Sequence, residues 1–163
     1  MRRLKRLLLG VAAGALLVML AAQLGAFGGT PPNDLGVRDG RLKPPSNTAN
    51  SVSSQADLWP QHPMHDEARI APLALQGNGA QTMAKLRRLA EAMPGAQVMQ
   101  SRDDYLYVQF TTRWMRFVDD AEFWFDPNAG AVQLRSASRV GRKDFGVNRA
   151  RIEAMRQALA AGG

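Results

Sequence analysis

The feature that most constrains this 163-residue chain is an uninterrupted apolar run close to its amino terminus. Residues 7–27 contain one polar side chain, that of Gln23, and a strongly basic segment precedes them. A helix over this run would be about 31 Å long, close to the hydrocarbon thickness of a bilayer at about 30 Å. The run therefore predicts a transmembrane helix, and the basic segment in front of it predicts that the amino terminus stays in the cytoplasm.

A cleavable signal peptide is the alternative for the same segment. Signal peptides usually have a shorter apolar stretch that ends at a small-x-small cleavage site. Here the run is longer, and Ala26-Phe27-Gly28 is only a weak match to such a site. We favour a membrane anchor over residues 1–27, with secretion after cleavage as the alternative. Both place the rest of the chain on the extracytoplasmic, periplasmic side.

The formal net charge of +7 does not predict a nucleic-acid-binding protein. Four of the 21 basic residues lie before the apolar run, and the others are nearly balanced by 14 acidic residues. The sequence shows no basic patch with interleaved aromatic residues, so we expect no nucleic-acid partner. The chain has no cysteine, which excludes disulfides, thiolate nucleophiles and cysteine-ligated metals.

Residues 28–63 have the composition of a linker, rich in glycine, proline, serine and asparagine. Such segments cannot bury enough apolar surface to become ordered by themselves. Leu42 and Trp59 are among several apolar residues scattered through it without a helical or strand period. Because a plain spacer would have little use for them, we predict an extended arm that lies against a domain formed by residues 64–163.

Hydrophobic periodicity predicts strands and two helices in residues 64–163. One amphipathic helix is expected over residues 82–93 and a second over 148–160, with Asn148 as the N-cap of the second. Strands are expected over residues 69–75, 96–101, 105–112, 117–126 and 131–138. Pro72 restricts the first of these to a sheet edge. The order predicts an α+β fold, an antiparallel sheet of four to five strands with two helices packed on one face, preceded by the transmembrane helix.

An acidic cluster is one of two candidate sites. Asp119, Asp120 and Glu122 lie on the predicted strand 117–126. Neighbouring carboxylates can bind a divalent cation or act as acid and base, but their spacing matches no calcium-binding loop. Arginines on neighbouring segments are available as partners, namely Arg113, Arg116, Arg135 and Arg139. We therefore favour cross-strand ion pairs on a solvated face, and we expect no bound metal, no cofactor and no catalytic residue here.

The second candidate is the polar stretch between the last strand and the last helix. Its candidate ligand-binding residues are Arg135, Ser136, Ser138, Arg139, Asp144, Asn148 and Arg149. Amides at a helix start attract anions, so a phosphate or carboxylate could bind near Asn148. The alternative is an ordered loop with a structural role, in which Asp144 pairs locally, two glycines adopt positive φ, and Phe145 and Val147 fill the core.

Several motifs beyond the apolar run resemble those of the family called domain of unknown function 1499. They are Leu35-Gly36-Val37, Asp39-Gly40-Arg41-Leu42, Asn50-Ser51-Val52-Ser53-Ser54-Gln55, Pro94-Gly95-Ala96, Tyr105-Leu106-Tyr107-Val108, Phe117-Val118-Asp119-Asp120-Ala121-Glu122-Phe123, Arg135-Ser136-Ala137-Ser138-Arg139-Val140-Gly141 and Asp144-Phe145-Gly146-Val147-Asn148-Arg149. The resemblance implies a membrane-associated or exported protein without an assigned activity, and an arm that is part of the structure. Where relatives often have cysteines, this chain has Pro45 and Ser51.

These observations favour a non-enzymatic, membrane-anchored domain that binds a small anionic or lipidic ligand, or a protein partner of unknown identity, through residues 135–149. The alternative is a metal-dependent or hydrolytic enzyme that uses Asp119, Asp120, Glu122 or Asp144. A third possibility is that both polar clusters only stabilise the fold.

Overall fold

The amino-terminal run forms one long helix in a computed structural model that describes residues 2–162. This helix, α1, spans Arg2–Gln23 and is long and apolar enough to cross a membrane. A signal sequence would share these properties, whereas the core helix of a soluble protein would be mostly buried. The apolar window of α1 is not buried against the rest of the chain.

An antiparallel sheet forms the centre of the domain. Its strands are β1 (Ser51–Ser53), β2 (Leu73–Ala74), β3 (Ala96–Ser101), β4 (Tyr105–Thr111), β5 (Val118–Asp126) and β6 (Ala131–Ser138). The strand order is β1-β6-β5-β4-β3, and β2 also pairs with β6. The predicted fold class, an antiparallel sheet with helices, is confirmed. The bounds of β3 and β6 are those that the sequence predicted, and β4 and β5 each differ from the prediction by one residue.

The outer edge of β6 is shared by two short strands. β1 pairs with residues 135–137 and β2 pairs with residues 131–132, so they follow one another along the same edge. The sequence predicted a longer strand over 69–75, of which only Leu73–Ala74 forms a strand, while Arg69 makes an isolated parallel bridge with Ser53. It predicted no strand at β1, because two of its three residues are serines and such a sequence carries no strand pattern.

Two helices cover one face of the sheet. Helix α3 spans Gly79–Glu91 and α4 spans Val147–Ala160, while a four-residue helix, α2, spans His65–Ala68. Helix α3 begins three residues before the predicted start, because the Asn78 side chain accepts from the Gln81 backbone N–H and the Gln81 side chain accepts from the Asn78 backbone N–H. This capping box is visible in the sequence as Asn-x-x-Gln.

The two faces of the sheet are covered by different parts of the chain. On the helix face, Leu106, Val108, Phe123 and Leu134 pack with apolar residues of α3 and α4 to form the main core. On the opposite face, here called the arm face, Tyr105 and Trp124 pack with Leu42 of the arm. Side chains of a strand alternate between the two faces of a sheet. Each polar side chain of β4, β5 and β6 therefore lies either on the helix face or on the arm face.

Candidate functional site

The seven candidates of residues 135–149 are divided between the two sides of the sheet. Arg135 and Arg139 extend on the arm face, whereas the Ser136 hydroxyl contacts α4 on the helix face. Alternation along β6 makes this separation unavoidable. The polar stretch therefore contributes to separate hydrogen-bond networks on the two faces and does not form one convergent set of ligands.

The first network on the arm face is centred on Asp120. Arg139 donates to both oxygens of its carboxylate, with Nε–Oδ2 at 2.8 Å and Nη2–Oδ1 at 2.7 Å. The Tyr107 hydroxyl adds a third hydrogen bond of 2.6 Å to Oδ1. The side chains of Arg139 and Asp120 are only 7% and 4% exposed. This two-point arginine–carboxylate pair is the geometry in which charge-assisted hydrogen bonds are strongest.

The second network on the arm face joins Glu122 to the arm. The Gly36 backbone N–H and the Tyr105 hydroxyl each donate to Oε1 of Glu122 at 2.7 Å. The other oxygen, Oε2, is buried and has no hydrogen-bond partner among residues 2–162. Burial raises the pKa of Glu122, although these two donors and the charge of nearby Arg135 act in the opposite direction.

Arg135 lies directly opposite Glu122 in the sheet register and also holds the arm. Its Nε donates to the Pro44 carbonyl at 2.9 Å, and its Nη2 lies 3.4 Å from the Ser46 hydroxyl. Burial lowers the pKa of Arg135, while the carboxylate of Glu122 raises it. The Nε and Nη2 groups of Arg135 are thus directed at the arm.

The helix face contains a third network, centred on Asn148. This side chain accepts from the Ser136 hydroxyl and donates to Ser138 and Asp144. The predicted N-cap role of Asn148 is wrong, because α4 begins at Val147 and its N-cap is Gly146, with φ +82°. A residue inside the first turn can instead direct its side chain toward the sheet.

Asp144 occupies the position that an anion would take at the start of α4. Its carboxylate accepts from the backbone N–H of Gly146 at 3.1 Å and of Asn148 at 2.9 Å. Burial alone would raise the pKa of Asp144, but these hydrogen bonds lower it below its ordinary value. Because the chain supplies its own carboxylate there, the helix start does not offer free amides at those two positions.

The acidic cluster of β5 is buried, and the expectation of a solvated face is wrong. Asp119, Asp120 and Glu122 are 4%, 3% and 0% exposed, because the arm and α4 cover them. Asp119 is on the opposite face from the other two and pairs with Arg151 of α4, with Nη2–Oδ2 at 2.7 Å. The sequence did not identify this partner, because Arg151 lies beside the predicted apolar stripe of the helix. Of the arginines expected to pair, Arg139 does so.

A pocket of about 310 Å³ lies at the end of the sheet where β5 begins and β6 ends. Its apolar walls come from the strand ends and from the loop that leads to α4. The residues that line it include Phe117, Val140, Lys143, Asp144, Phe145 and Val147. The expectation that Phe145 and Val147 fill the core is wrong, since they are 93% and 47% exposed. Their exposure gives this pocket an apolar rim.

The segment Lys143–Phe145 separates this pocket from a neighbouring one of about 300 Å³. The neighbouring pocket is lined by Glu67 and Arg149 as well as by the shared segment. Arg149 is already engaged there, because its Nη2 donates to the carbonyls of Glu67 and Arg69 at 2.9 Å each. Of the seven candidates, Ser138 and Asp144 line the first pocket, and Asp144 and Arg149 line the second.

Within residues 2–162, no three histidine, aspartate or glutamate side chains come together in a way that could hold a metal ion.

Comparison with protein families gives one result. The family model described as "Protein of unknown function (DUF1499)" matches residues 41–159. No curated protein and no solved structure matches the chain. The matched range begins within the arm and includes all six strands as well as α2, α3 and most of α4.

Proposed function

The chain belongs to the DUF1499 family, whose function is unknown, and we propose that it is a membrane-anchored, non-enzymatic domain that binds a lipid with an anionic headgroup. The proposed site is the 310 Å³ pocket between the end of the sheet and the β6–α4 loop. This volume lies at the lower end of the range of small-molecule pockets, roughly 300–1,000 Å³, and suits part of a lipid better than a whole one.

The exposed apolar rim of this pocket is the main support for the proposal. Phe145 is 93% exposed, and its backbone adopts the left-handed conformation with φ +54°. Such a conformation is unfavourable for a bulky residue and is typical of ligand-binding or switch segments. Val140, Val147 and Phe117 are exposed by 41%, 47% and 38% around the same opening. An acyl chain placed there would cover these side chains, at a gain of roughly 25 cal/mol per Å² buried.

Basic residues beside the rim favour an anionic headgroup. Lys143 lines the pocket and is exposed, as is its neighbour Arg142. Neither has a carboxylate within 4.0 Å in an ion pair among residues 2–162. Asp119 and Asp144 also line the pocket, but Asp119 is paired with Arg151 and the Asp144 carboxylate is directed to the start of α4. A phosphate at the rim would therefore meet uncompensated positive charge.

The carboxylates of the alternative enzyme do not form one site. Asp119 and Asp120 lie on opposite faces of the sheet, each paired with an arginine. Glu122 holds the arm, and Asp144 caps α4. Each carboxylate has a stabilising partner of its own. Acid–base catalysis would need two carboxylates that converge on one substrate, so this arrangement supports a binding domain and not an enzyme.

The proposed location follows from the amino-terminal charges. Basic residues before α1 favour retention of that end in the cytoplasm, so the domain lies on the extracytoplasmic side. Secretion after cleavage near residue 27 is the alternative. Membrane fractionation with carbonate washing, together with mass measurement of the mature chain, distinguishes an uncleaved anchor from a cleaved signal.

Ligand binding can be tested on the full chain extracted in mild detergent. Native mass spectrometry is expected to show bound phospholipid, and titration with a fluorescent phosphatidylglycerol is expected to show saturable binding. The double variant Phe145→Ser, Val147→Ser should weaken this binding by about tenfold or more, corresponding to a loss of about 1.4 kcal/mol. Both side chains are exposed, so the fold should be retained.

The matched control is Leu58→Ser, Met99→Ser, which removes two apolar side chains of 43% and 47% exposure away from the pocket. It should bind like the wild type. A further variant, Lys143→Glu, should weaken binding of phosphatidylglycerol more than that of an uncharged diacylglycerol. An empty wild-type chain that does not bind the fluorescent lipid, or equal binding by the rim variant, would overturn the proposal.

A further inference from the structure

The end of helix α1 is attached to the loop between β4 and β5. The Gln23 side chain, the only polar one in the apolar run, donates to the carbonyls of Trp114 at 3.0 Å and Arg113 at 3.3 Å. Four residues further on, the Phe27 ring contacts the Phe117 ring, with centroids 5.8 Å apart. The β4–β5 loop therefore lies at the level where α1 ends.

A second contact fixes the chain just after α1. Gly29 has φ +67° and lies so close to Arg139 and Val140 that a Cβ at this position would come within 2.7 Å and 2.8 Å of them. Only glycine combines this backbone conformation with this approach. Val140, and Phe117, which the Phe27 ring contacts, also line the pocket described above.

The side chains on this end of the domain are of the type that occupies a membrane–water interface. Trp114 is 60% exposed, and the Arg113 guanidinium lies 4.9 Å from the centre of its ring. Arg116 has φ +57° in the same loop. Tryptophan rings are enriched at the level of lipid headgroups, and arginine can place its charge among phosphates while its stem stays in an apolar layer.

We propose that residues 112–117 and 140–147 form a bilayer-docking face that rests on the leaflet from which α1 emerges. In this arrangement Trp114 and Phe145 enter the interfacial layer, while Arg113, Arg116 and Lys143 meet lipid phosphates. The occupant is the bilayer itself, because the contacts of Gln23, Phe27 and Gly29 continue this face directly from the end of α1. The inference rests on α1 being a retained membrane span, as proposed above.

The docking face gives the pocket a source of ligand. Phe117 and Val140 line the pocket and also contact Phe27 and Gly29, which follow α1. A lipid could therefore pass from the leaflet into the pocket without its acyl chain crossing water. This places the binding site at the membrane surface and makes the membrane's own phospholipids its class of ligand.

Tryptophan quenching by brominated lipids tests the docking face in the full chain. The chain is placed in nanodiscs of phosphatidylethanolamine and phosphatidylglycerol, with Trp59→Phe and Trp124→Phe leaving Trp114 as the reporter. Lipids brominated close to the headgroup should quench Trp114 more than lipids brominated near the chain ends. The control reporter is Trp59, which remains as the single tryptophan after Trp114→Phe and Trp124→Phe. Trp59 lies beside Leu42 in the arm, so its emission should not be quenched.

A pair of glycine variants tests the attachment. In the Trp114 reporter, Gly29→Ala should reduce quenching, because the added Cβ clashes with Arg139 and Val140. Gly25→Ala is the matched control, since Gly25 has φ +87° but no atom within 4 Å of an added Cβ. Circular dichroism and the unfolding midpoint should show that both variants remain folded.

The outcomes separate the docking face from the proposed function. If the uncleaved chain is in the nanodisc and Trp114 is not quenched at any depth, the docking face is refuted while the anchor stands. If the mature chain lacks residues 1–27, both the anchor and the docking face fail. Lipid binding in the pocket is measured in detergent, so its loss or retention does not depend on either result.

Discussion

The two faces of the sheet achieve burial by different physical means. On the helix face, the side chains under α3 and α4 are mostly apolar, and Phe123 and Leu134 are completely buried. On the arm face, Tyr105 and Trp124 share the surface with the buried charges of Asp120, Glu122 and Arg135. The arm that covers this face contains few regular elements, and its backbone groups supply part of the hydrogen bonding.

An irregular segment can replace a layer of helix where the side chains beneath it are charged. A helix uses most of its backbone donors and acceptors internally, so it covers apolar side chains well. An extended arm has free N–H and carbonyl groups, such as those of Gly36 and Pro44, that satisfy buried charges. Polar residues on β5 and β6 are therefore what makes the arm part of the fold.

The largest effect is expected on the helix face. Phe123→Ala removes a fully buried ring from the main core and should lower the free energy of unfolding by about 3–5 kcal/mol. Urea unfolding of the full chain in detergent, followed by tryptophan fluorescence, measures this. If Phe123→Ala lowers the free energy of unfolding by less than the arm-face variant Arg139→Met does, the helix face is not the dominant source of stability.

On the arm face, removal of one member of the buried ion pair should cost slightly less. Arg139→Met leaves the Asp120 carboxylate buried with the Tyr107 hydroxyl as its remaining partner, and we expect a loss of about 3 kcal/mol. The double variant Arg139→Met, Asp120→Asn should recover more than half of this, because no unpaired charge remains. If the double variant is as unstable as the single one, packing and not charge explains the loss.

The smallest effect concerns Glu122 and depends on pH. Because burial raises the pKa of Glu122 above its ordinary value of 4.5, the folded state binds more protons than the unfolded state just above that pH. The contribution of Glu122 to stability therefore falls as the pH rises from 4.5 through its raised pKa. Glu122→Gln does not titrate, and its Oε1 can still accept from Gly36 and Tyr105.

The measurement is urea unfolding of both proteins over a series of pH values. The free energy of unfolding of the wild type minus that of Glu122→Gln should decrease as the pH rises through this window. Asp34 and Asp144 have lowered pKa values and give the opposite slope, but they are common to both proteins and cancel in the difference. A flat difference would mean that Glu122 is not buried by the arm.

The sequence located the elements with strong local signals. The bounds of β3 and β6 agree with the prediction, and α4 begins one residue earlier than expected. Weak signals were missed, as in β1, where Ser51 and Ser53 pair with β6 because of where the chain returns, not because of their own propensity.

The candidate site was less predictable than the fold. Residues 135–149 were predicted as a ligand-binding stretch, and that binding role stays a prediction, while their observed contacts depend on partners that are distant in the chain. Arg135 binds the Pro44 carbonyl 91 residues away, and Asp119 binds Arg151 across the sheet–helix interface. Neither the exposure of Phe145 nor the pocket beside it follows from a hydrophobic pattern, which would place such a residue inside.

The sequence by itself determined the apolar amino-terminal helix, the family and the α+β fold with helices on the sheet, because apolar periodicity and charge act over a few neighbouring residues. Only the tertiary structure decided that the carboxylates of β5 are buried in separate networks, that Asp144 takes the place of an anion at α4, and that Gln23, Phe27 and Gly29 contact the end of the domain beside the pocket. These features depend on which distant segments meet, and a one-dimensional pattern contains no such information.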